Sequence, residues 1–556
     1  MTSTGTPAGA PPATFTLTHR QILTILGGLM LGMFLGALDQ TIVATAVRTI
    51  GDDLNGLSLQ AWVTTAYLIT STISTPLYGK LSDLYGRKPL YLAAIALFLL
   101  GSLLCGTAGS MYELAAYRAV QGLGGGGLMS LAITILGDLL SPRERAKYQA
   151  YFLAVWGTSS VIGPIIGGFL AGSPSLLGLT GWRWIFLINV PLGLAGMLVI
   201  TRVLKLPPVP RRQHRIDWPG AVALVVGLVP LLLVAEQGRD WGWGSGRALG
   251  AYALGVVGLA LFVLAERRAG DDALLPLRLF RIRTFGTAAL INLVIGTGLF
   301  GGMAVLPLYL QISRGMSPTA AGLALLPLTL GIMTASVVSG QTVARTGRYR
   351  RFPVLGTALL TVGAVLLSGL TAGSSLVDVG ARSVVFGLGL GFCMQPLVLA
   401  VQNAVPPRDL GTATSASLFF RQMGGTLGTA VFLSILFTSV GDRIRSALTD
   451  ALGTEPFRAA LADDAVVADP ANAPVVDLVN GTGGVPSLDD SSFIGALDPR
   501  LAVPFTEGFA QSTSLVLMSA AAVMLVAFAL SWLLPAVPLR QTSGIQDRLD
   551  AESQGA

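Results

Sequence analysis

The chain is 556 residues long; 52% of them are hydrophobic and only 12% are charged. Soluble cores in a chain of this length need more polar surface to cover them, so the composition excludes an ordinary water-soluble protein. The net charge of +7 does not indicate a nucleic-acid groove, because most Lys and Arg lie in short stretches between apolar runs, where topology signals belong. Cys105 and Cys393 sit inside apolar runs and read as buried free thiols. His19 and His214 lie in polar flanks without ligand spacing, so no metal site is expected.

Apolar runs of about 20 residues, enough to cross a bilayer core, recur along nearly the whole chain. Fourteen helices are predicted: 22–46, 59–79, 89–109, 113–138, 147–171, 184–204, 217–235, 248–266, 285–311, 318–342, 353–372, 381–403, 412–438 and 511–535. The first could be taken for a signal peptide, but it is too long, carries Asp39 and lacks a convincing small-residue cleavage site, so it reads as a span. The pair over 217–266 is short and Gly-rich. Before the last helix, residues 441–510 form a long polar stretch with Asp463, Asp464, Asp469, Asp489 and Asp490. It is expected to be a solvated, partly disordered outward loop, with a docking surface or a lid over the outer opening as the functional alternative. The tails through about Thr18 and after Leu539 are also expected to be disordered.

With the N-terminus placed in the cytoplasm, the inward loops hold twenty-one Lys and Arg, against six in the short outward loops. Dropping one span would invert every later loop, so the alternation requires an even number. Both termini are expected in the cytoplasm of a multi-pass cell-membrane (plasma or inner membrane) protein.

The loop after the second helix reads Gly79-Lys80-Leu81-Ser82-Asp83-Leu84-Tyr85-Gly86-Arg87-Lys88. Gly79 and Gly86 permit a tight reversal and close helix approach. Asp83 can bond a helix N-terminus or an arginine, and Arg87 and Lys88 hold the loop inside. This spacing resembles the signature loop of the major facilitator superfamily. In the first helix, Leu38-Asp39-Gln40-Thr41-Ile42-Val43 resembles the signature of the fourteen-span drug:proton antiporters, and Trp62 and Tyr67 in the second helix are similar to that family. Arg118 to Gly124, and Trp182 to Pro191, match in the expected order. Gly163-Pro164-Ile165-Ile166-Gly167-Gly168 resembles the antiporter motif of the fifth helix. Ala44 and Arg48 depart from the family pattern, which usually has Asn and Pro there.

The resemblance implies an all-α membrane protein with the major-facilitator fold: two pseudo-symmetric six-helix bundles plus two inserted helices, fourteen transmembrane helices in all. An internal repeat supports it. Gly340, Gly347 and Arg348 repeat the spacing of Gly79, Gly86 and Arg87, with Ala344 in place of Asp83. The expected organisation is a cytoplasmic tail (1–20), an N-terminal bundle (21–205), two inserted helices (206–270), a C-terminal bundle (284–538) containing the acidic loop 441–510, and a second tail (539–556).

A charge inside a span is a functional hypothesis by default, and Asp39 is the first candidate for carrying a proton. The alternative is a carboxylate paired near the outer helix end. By resemblance, Arg118 lies in the central cavity and modulates the protonation of an acid; structurally, it could be satisfied by carbonyls. Gly163, Pro164, Gly167 and Gly168 read either as a kinked packing helix or as a bend that seals one half against the other. The run Gly122 to Gly127 lacks the strand and Lys of a phosphate loop, so it reads as close helix packing, and nothing indicates an ATP-driven pump. Trp62, Tyr67, Gln121, Asn292, Tyr309, Gln395, Gln402 and Asn403 are candidate cavity liners, and Arg421 is open between a structural and a cavity role. Glu113 and Asp138 at helix ends read as solvated or capping.

The expected function is proton-coupled antiport that exports lipophilic or cationic drugs or antibiotics by alternating access. The alternative is a dedicated exporter of one endogenous metabolite or lipid. No Ser/His/Asp set, metal cluster or nucleotide loop points to an enzyme. No cofactor is expected beyond the proton gradient. The expected partners are a small-molecule substrate, protons, the lipid bilayer and an extracytoplasmic partner at 441–510, with the chain acting as a monomer.

Overall fold

The computed structural model describes residues 18–54, 59–204, 217–481, 492–543 and 545–546. The predicted tail 1–17, most of the tail past 543, and 205–216 at the start of the expected insertion lie outside the described residues. The first half holds α1 (His19–Asp53), α2 (Gln60–Tyr85), α3 (Arg87–Thr107), α4 (Met111–Leu139), α5 (Pro142–Gly172), α6 (Arg183–Leu187) and α7 (Asn189–Val203). A hairpin of α8 (Trp218–Trp241) and α9 (Gly246–Ala269) follows, then the short α10 (Arg278–Arg281). The second half begins with α11 (Arg283–Ile312), α12 (Pro318–Ala324), α13 (Leu326–Thr346), α14 (Arg351–Ser368), α15 (Leu376–Ala404) and α16 (Leu410–Leu452). The small helices α17 (Glu455–Leu461), α18 (Asp464–Val467) and α19 (Ala473–Val479) precede the final α20 (Val503–Ser531).

Among the described residues, thirteen helical segments are long and apolar enough to cross a membrane. The fourteenth expected span is α2, which is absent from that set. Its 26 residues would reach about 39 Å, but Ser and Thr dilute its apolar character. That polarity is tolerated because α2 is wedged between α4 and α16, with Ser71, Thr72, Ser74 and Thr75 buried.

Each half has its own apolar core. One is built around Leu29, Tyr91, Phe98 and Leu131, the other around Phe285, Tyr309, Leu360 and Phe386. The halves meet where α2 and α4 pack on α16 and where α5 packs on α13. The α8–α9 hairpin packs chiefly on itself, with Gly227 and Gly258 allowing a close crossing. Leu224, Leu228 and Leu232 then seat it over the α2–α16 seam, against Ile69, Ile73 and Phe419. In the first half, Gly122, Gly124, Gly126 and Gly127 let α4 nest between α2 and α3.

Residues 482–491, with Asp489 and Asp490, lie outside the described residues; the rest of the acidic stretch is more ordered than the solvated, partly disordered loop expected of it. Helix α16 continues unbroken to Leu452, well past the expected end at 438. Phe457, Val475, Leu497 and Leu501 then pack on Leu436 and Ile444 of α16 and on Phe505 and Phe509 of α20. Polarity over 441–510 hid these few apolar anchors. Asp463 and Asp469 cap short helices, and Asp498 pairs with Arg500 at 2.8 Å. The described part of this segment is a folded cap on the second half.

Gly124→Ala is expected to lower melting temperature and yield, because a Cβ there lies 2.4 Å from the Phe98 nitrogen and 2.6 Å from the Ala94 oxygen. The expected cost is about 1–3 kcal/mol. Gly250→Ala, with nothing within 4 Å, is the control that should change neither.

Candidate functional site

Three constellations stand out, strung between the two ends of the helix bundle. One end, called here the basic end, carries the 79–88 loop and the turns after α4, α13 and α15; the opposite end carries the acidic cap.

The first constellation lies inside the first half, toward the capped end. Asp39 of α1 is 0% exposed and Arg118 of α4 is 1% exposed. Arg118 Nη1 donates to Asp39 Oδ2 at 2.5 Å. Asp39 Oδ1 accepts from Gln121 Nε2 at 2.8 Å and Asn189 Nδ2 at 2.9 Å. Arg118 also donates to Gln121 Oε1 (2.8 Å) and to the Val63 carbonyl (3.1 Å), so it keeps partners even without Asp39. Its guanidinium lies 4.3 Å from the centre of the Tyr67 ring. A buried ion pair persists only when its remaining polar groups are satisfied, and here nearly all are. The exception is Asn189 Oδ1, a buried acceptor without a partner beside the carboxylate.

The second constellation joins the halves at the basic end. Gly86 has φ 93° and ends α2, leaving Arg87 to open α3; Gly347 does the same for α13 with φ 70°. Arg87 is 3% exposed and donates to Asp138 Oδ2 at 2.7 Å and Ser82 Oγ at 2.6 Å. Its Nη2 lies 2.5 Å from Asp83 Oδ1, an ion contact with the N–H not aimed along it. Asp83 crosses to the other half. It accepts from the backbone N–H of Gly411 at 3.1 Å, the N–H of Thr412 at 2.7 Å and the Thr412 hydroxyl at 2.8 Å. Those amides begin α16, so a carboxylate from the first half caps a 43-residue helix of the second. Gly79 and Gly411 make this approach possible, since a Cβ on Gly79 would meet Ser415 Oγ at 2.2 Å. Alongside, Arg145 donates to Gln402, and Gln402 donates to Thr414 Oγ1 at 3.0 Å. Outside the spans, Arg278 grips Asp409 with two bonds of 2.7 and 2.8 Å and holds the Asp271 carboxyl below its ordinary range.

The third constellation is a small cavity of about 20 Å³ between the halves. Met33, Met129 and Trp156 of the first half face Met394, Gln395, Val398 and Arg421 of the second. Arg421 is its sole charged lining residue.

The structure distributes the other sequence candidates widely. Asn292 donates to the Ala288 carbonyl at 2.9 Å and to Ser417 Oγ at 3.1 Å. The Tyr309 hydroxyl donates to the Thr371 carbonyl at 2.7 Å, and Asn403 Nδ2 to the Pro538 carbonyl at 3.0 Å. These last two fasten turns and tail, and neither lines the cavity. Gln121 and Tyr67 belong to the Asp39 cluster, and Trp62 is half-buried elsewhere on α2. Lys88 donates to the Thr201 carbonyl at 2.8 Å, within its own half.

At Gly163 and Gly167 the close contacts lie within the first half. They receive Thr41 and Thr45 of α1, in the same half, and Gly168 faces open space. The other half meets α5 through α13, with further contacts from α12 and α15, and at Gly157 the neighbours are Thr329 and Met333. Asp138 is corrected, from a solvated or capping acid to one that is 2% exposed and paired with Arg87. Asn189, Ser102 and Arg145 escaped the sequence reading as site residues. Asn189 and Ser102 are ordinary polar residues whose importance appears only when four helices meet.

The sequence profile of the Major Facilitator Superfamily matches residues 29–429. The multidrug transporter protein MdtP of Bacillus subtilis (strain 168) is 36% identical over 439 residues, covering 78% of this chain and 79% of that protein. The chain belongs to the Major Facilitator Superfamily. As a member it is a membrane transporter and not an enzyme. The tetracycline resistance determinant of Streptomyces rimosus is 38% identical over 340 residues, 61% of this chain and 96% of that protein. In fold, this superfamily member resembles the proton:xylose symporter XylE, with TM-score 0.57 at 14% identity, covering 96% of this chain and 99% of that one.

Asp83→Asn strips the α16 N-terminus of its anion and Arg87 of one partner. It is expected to destabilise the closed basic end by roughly 1–3 kcal/mol. Spin labels at exposed Tyr85 and Arg408 should then report a longer, broader distance; an unchanged distribution counts against this latch.

Proposed function

We propose that this transporter exports lipophilic drugs or antibiotics by proton-driven antiport with alternating access, from a cell membrane in which both termini face the cytoplasm. The observation that carries the reading is the sealed Asp39–Arg118 pair. The Lys and Arg bias toward the 79–88 end supports placing that end in the cytoplasm. The conformation is then closed to the cytoplasm by the Asp83 cap and the Arg145–Gln402 bond. A cavity with room for about one water fits a state between loading and release.

Asp39 can neutralise without stranding its neighbours. When it takes a proton from the outside, Arg118 retains Gln121 and Val63, and the free Asn189 Oδ1 offers the new O–H an acceptor after a small rotation. Losing the ion pair loosens α1 against α4 and so couples protonation to the packing of the first half. Loss of the proton toward the cytoplasm restores the pair. Each proton moving down about 100 mV supplies roughly 2.3 kcal/mol, enough for about a fiftyfold substrate gradient.

The three methionines and Trp156 give the cavity an adaptable, apolar wall that suits varied lipophilic molecules. Arg421 narrows the expected substrate range. No ion-pair partner for it appears among the described residues. A second cation about 5 Å away would be repelled by about 3 kcal/mol at an effective dielectric of 20. The proposal therefore favours neutral molecules and those with an enolate, phenolate or carboxylate over permanent cations. The names of MdtP and the tetracycline determinant agree with drug export.

A dedicated exporter handing one endogenous metabolite or lipid to an extracytoplasmic partner is the second reading. The folded cap built from α17 to α19 favours it, because it presents an ordered acidic surface. The chain acts as a monomer in either case.

In proteoliposomes with an imposed proton gradient, Asp39→Asn is expected to lose gradient-driven accumulation while still binding substrate. Full accumulation in that variant, with collapse by protonophore intact, would sink the role given to Asp39. Arg421→Gln is expected to weaken export of anionic substrates about tenfold, with a smaller effect on neutral ones. Equal loss for both classes would make Arg421 structural.

A further inference from the structure

At the basic end lies a second and much larger cavity, of about 880 Å³, which shares no lining residue with the central one. Arg143, Arg348, Arg350 and Arg351 line it, and among the described residues no carboxylate does. Arg143 opens α5 of the first half, whereas the other three belong to the α13–α14 turn and the start of α14 in the second. The Arg143 guanidinium reaches that turn, with its Nη2 3.6 Å from the site of a Cβ on Gly347. Arg350 Nη2 is tied to the Trp532 carbonyl at 2.7 Å. None of the four arginines forms an ion pair among the described residues, and three are exposed.

Four guanidinium groups gathered without a counter-charge among the described residues repel one another, and the arrangement is stabilised by an anion. The start of α14 adds to this, because no side chain caps its N-terminal amides. The other wall of the cavity is apolar. Leu355 of α14 and Trp532 just past α20 are 48% and 57% exposed at the ends of two membrane-spanning helices. An anionic head beside an apolar, lipid-level wall is the chemistry of a phospholipid.

We propose that this cavity binds one anionic phospholipid, its phosphate held by arginines of both halves and its acyl chains laid along α14 and α20. The lipid bridges Arg143 to the α13–α14 turn. It therefore stabilises the conformation in which the basic end is closed. This site is independent of the substrate cavity and of Asp39, so lipid binding and drug export are separable readouts.

The test uses the purified full chain with phosphatidylglycerol, phosphatidylcholine and inorganic phosphate as probes, read by native mass spectrometry. Wild type is expected to retain phosphatidylglycerol over phosphatidylcholine, and Arg348→Gln with Arg351→Gln to bind it about tenfold more weakly or less. The Lys pair at the same positions is expected to retain most of the binding, which separates charge from misfolding. In vesicles, adding phosphatidylglycerol should shorten label distances at the basic end in wild type but not in Arg143→Gln. Unchanged binding in the Gln pair overturns the proposal. Full competition by inorganic phosphate makes this a free-anion site and overturns the lipid. A large gain in binding on deleting 547–556 names the acidic tail of the chain as the resident occupant, and it overturns the lipid equally.

Discussion

A carboxylate withdrawn from water has to be surrounded by donors, and much of this transporter is arranged around two such groups. Asp39 gathers donors from α4 and α7, and those donors are held by α2 and α3 in turn. Five helices of the first half are thus committed to one charge. Asp83 does the same between the halves, sharing Arg87 on its own side and capping α16 on the other. Removing the donors from either carboxylate leaves a buried charge uncompensated, and the cost of that exceeds the worth of any one contact.

The two carboxylates are suited to different tasks. Asp39 sits in a pocket whose members retain alternative partners, so it can change charge while its surroundings survive. Asp83 is bonded to backbone amides of the first turn of α16, which suits a latch that is either made or broken with the approach of the halves. Glycine is the condition for both. The α4 run brings Arg118 and Gln121 close to α2 and α3, and Gly79 with Gly411 lets two helices of opposite halves touch at backbone distance.

Charge is also partitioned by depth. Arg421 is the lone charge of the central cavity, Arg145 and Arg87 close the basic end, and the exposed arginines of the α13–α14 turn gather at the membrane level. In the proposed reading the same residue type serves as substrate contact, latch and lipid contact, and burial with neighbouring acids decides which.

The helical class, all but one of the long apolar runs and the end bearing the positive charge followed from the sequence by itself, because hydropathy and charge placement are local and additive along a chain. The G-x-L-x-D-x-x-G-R-K loop and Asp39 were legible for the same reason: an acid or paired glycines among apolar residues stand out without knowledge of neighbours. Only the tertiary structure decided what those residues touch. It placed Asn189 and Ser102 beside Asp39, turned Gly163 and Gly167 toward α1, gave Asp138 to Arg87, and folded an acidic segment around Phe457 and Leu501. Each of these depends on residues dozens to hundreds of positions apart meeting at one depth, and neither composition nor spacing carries that distance.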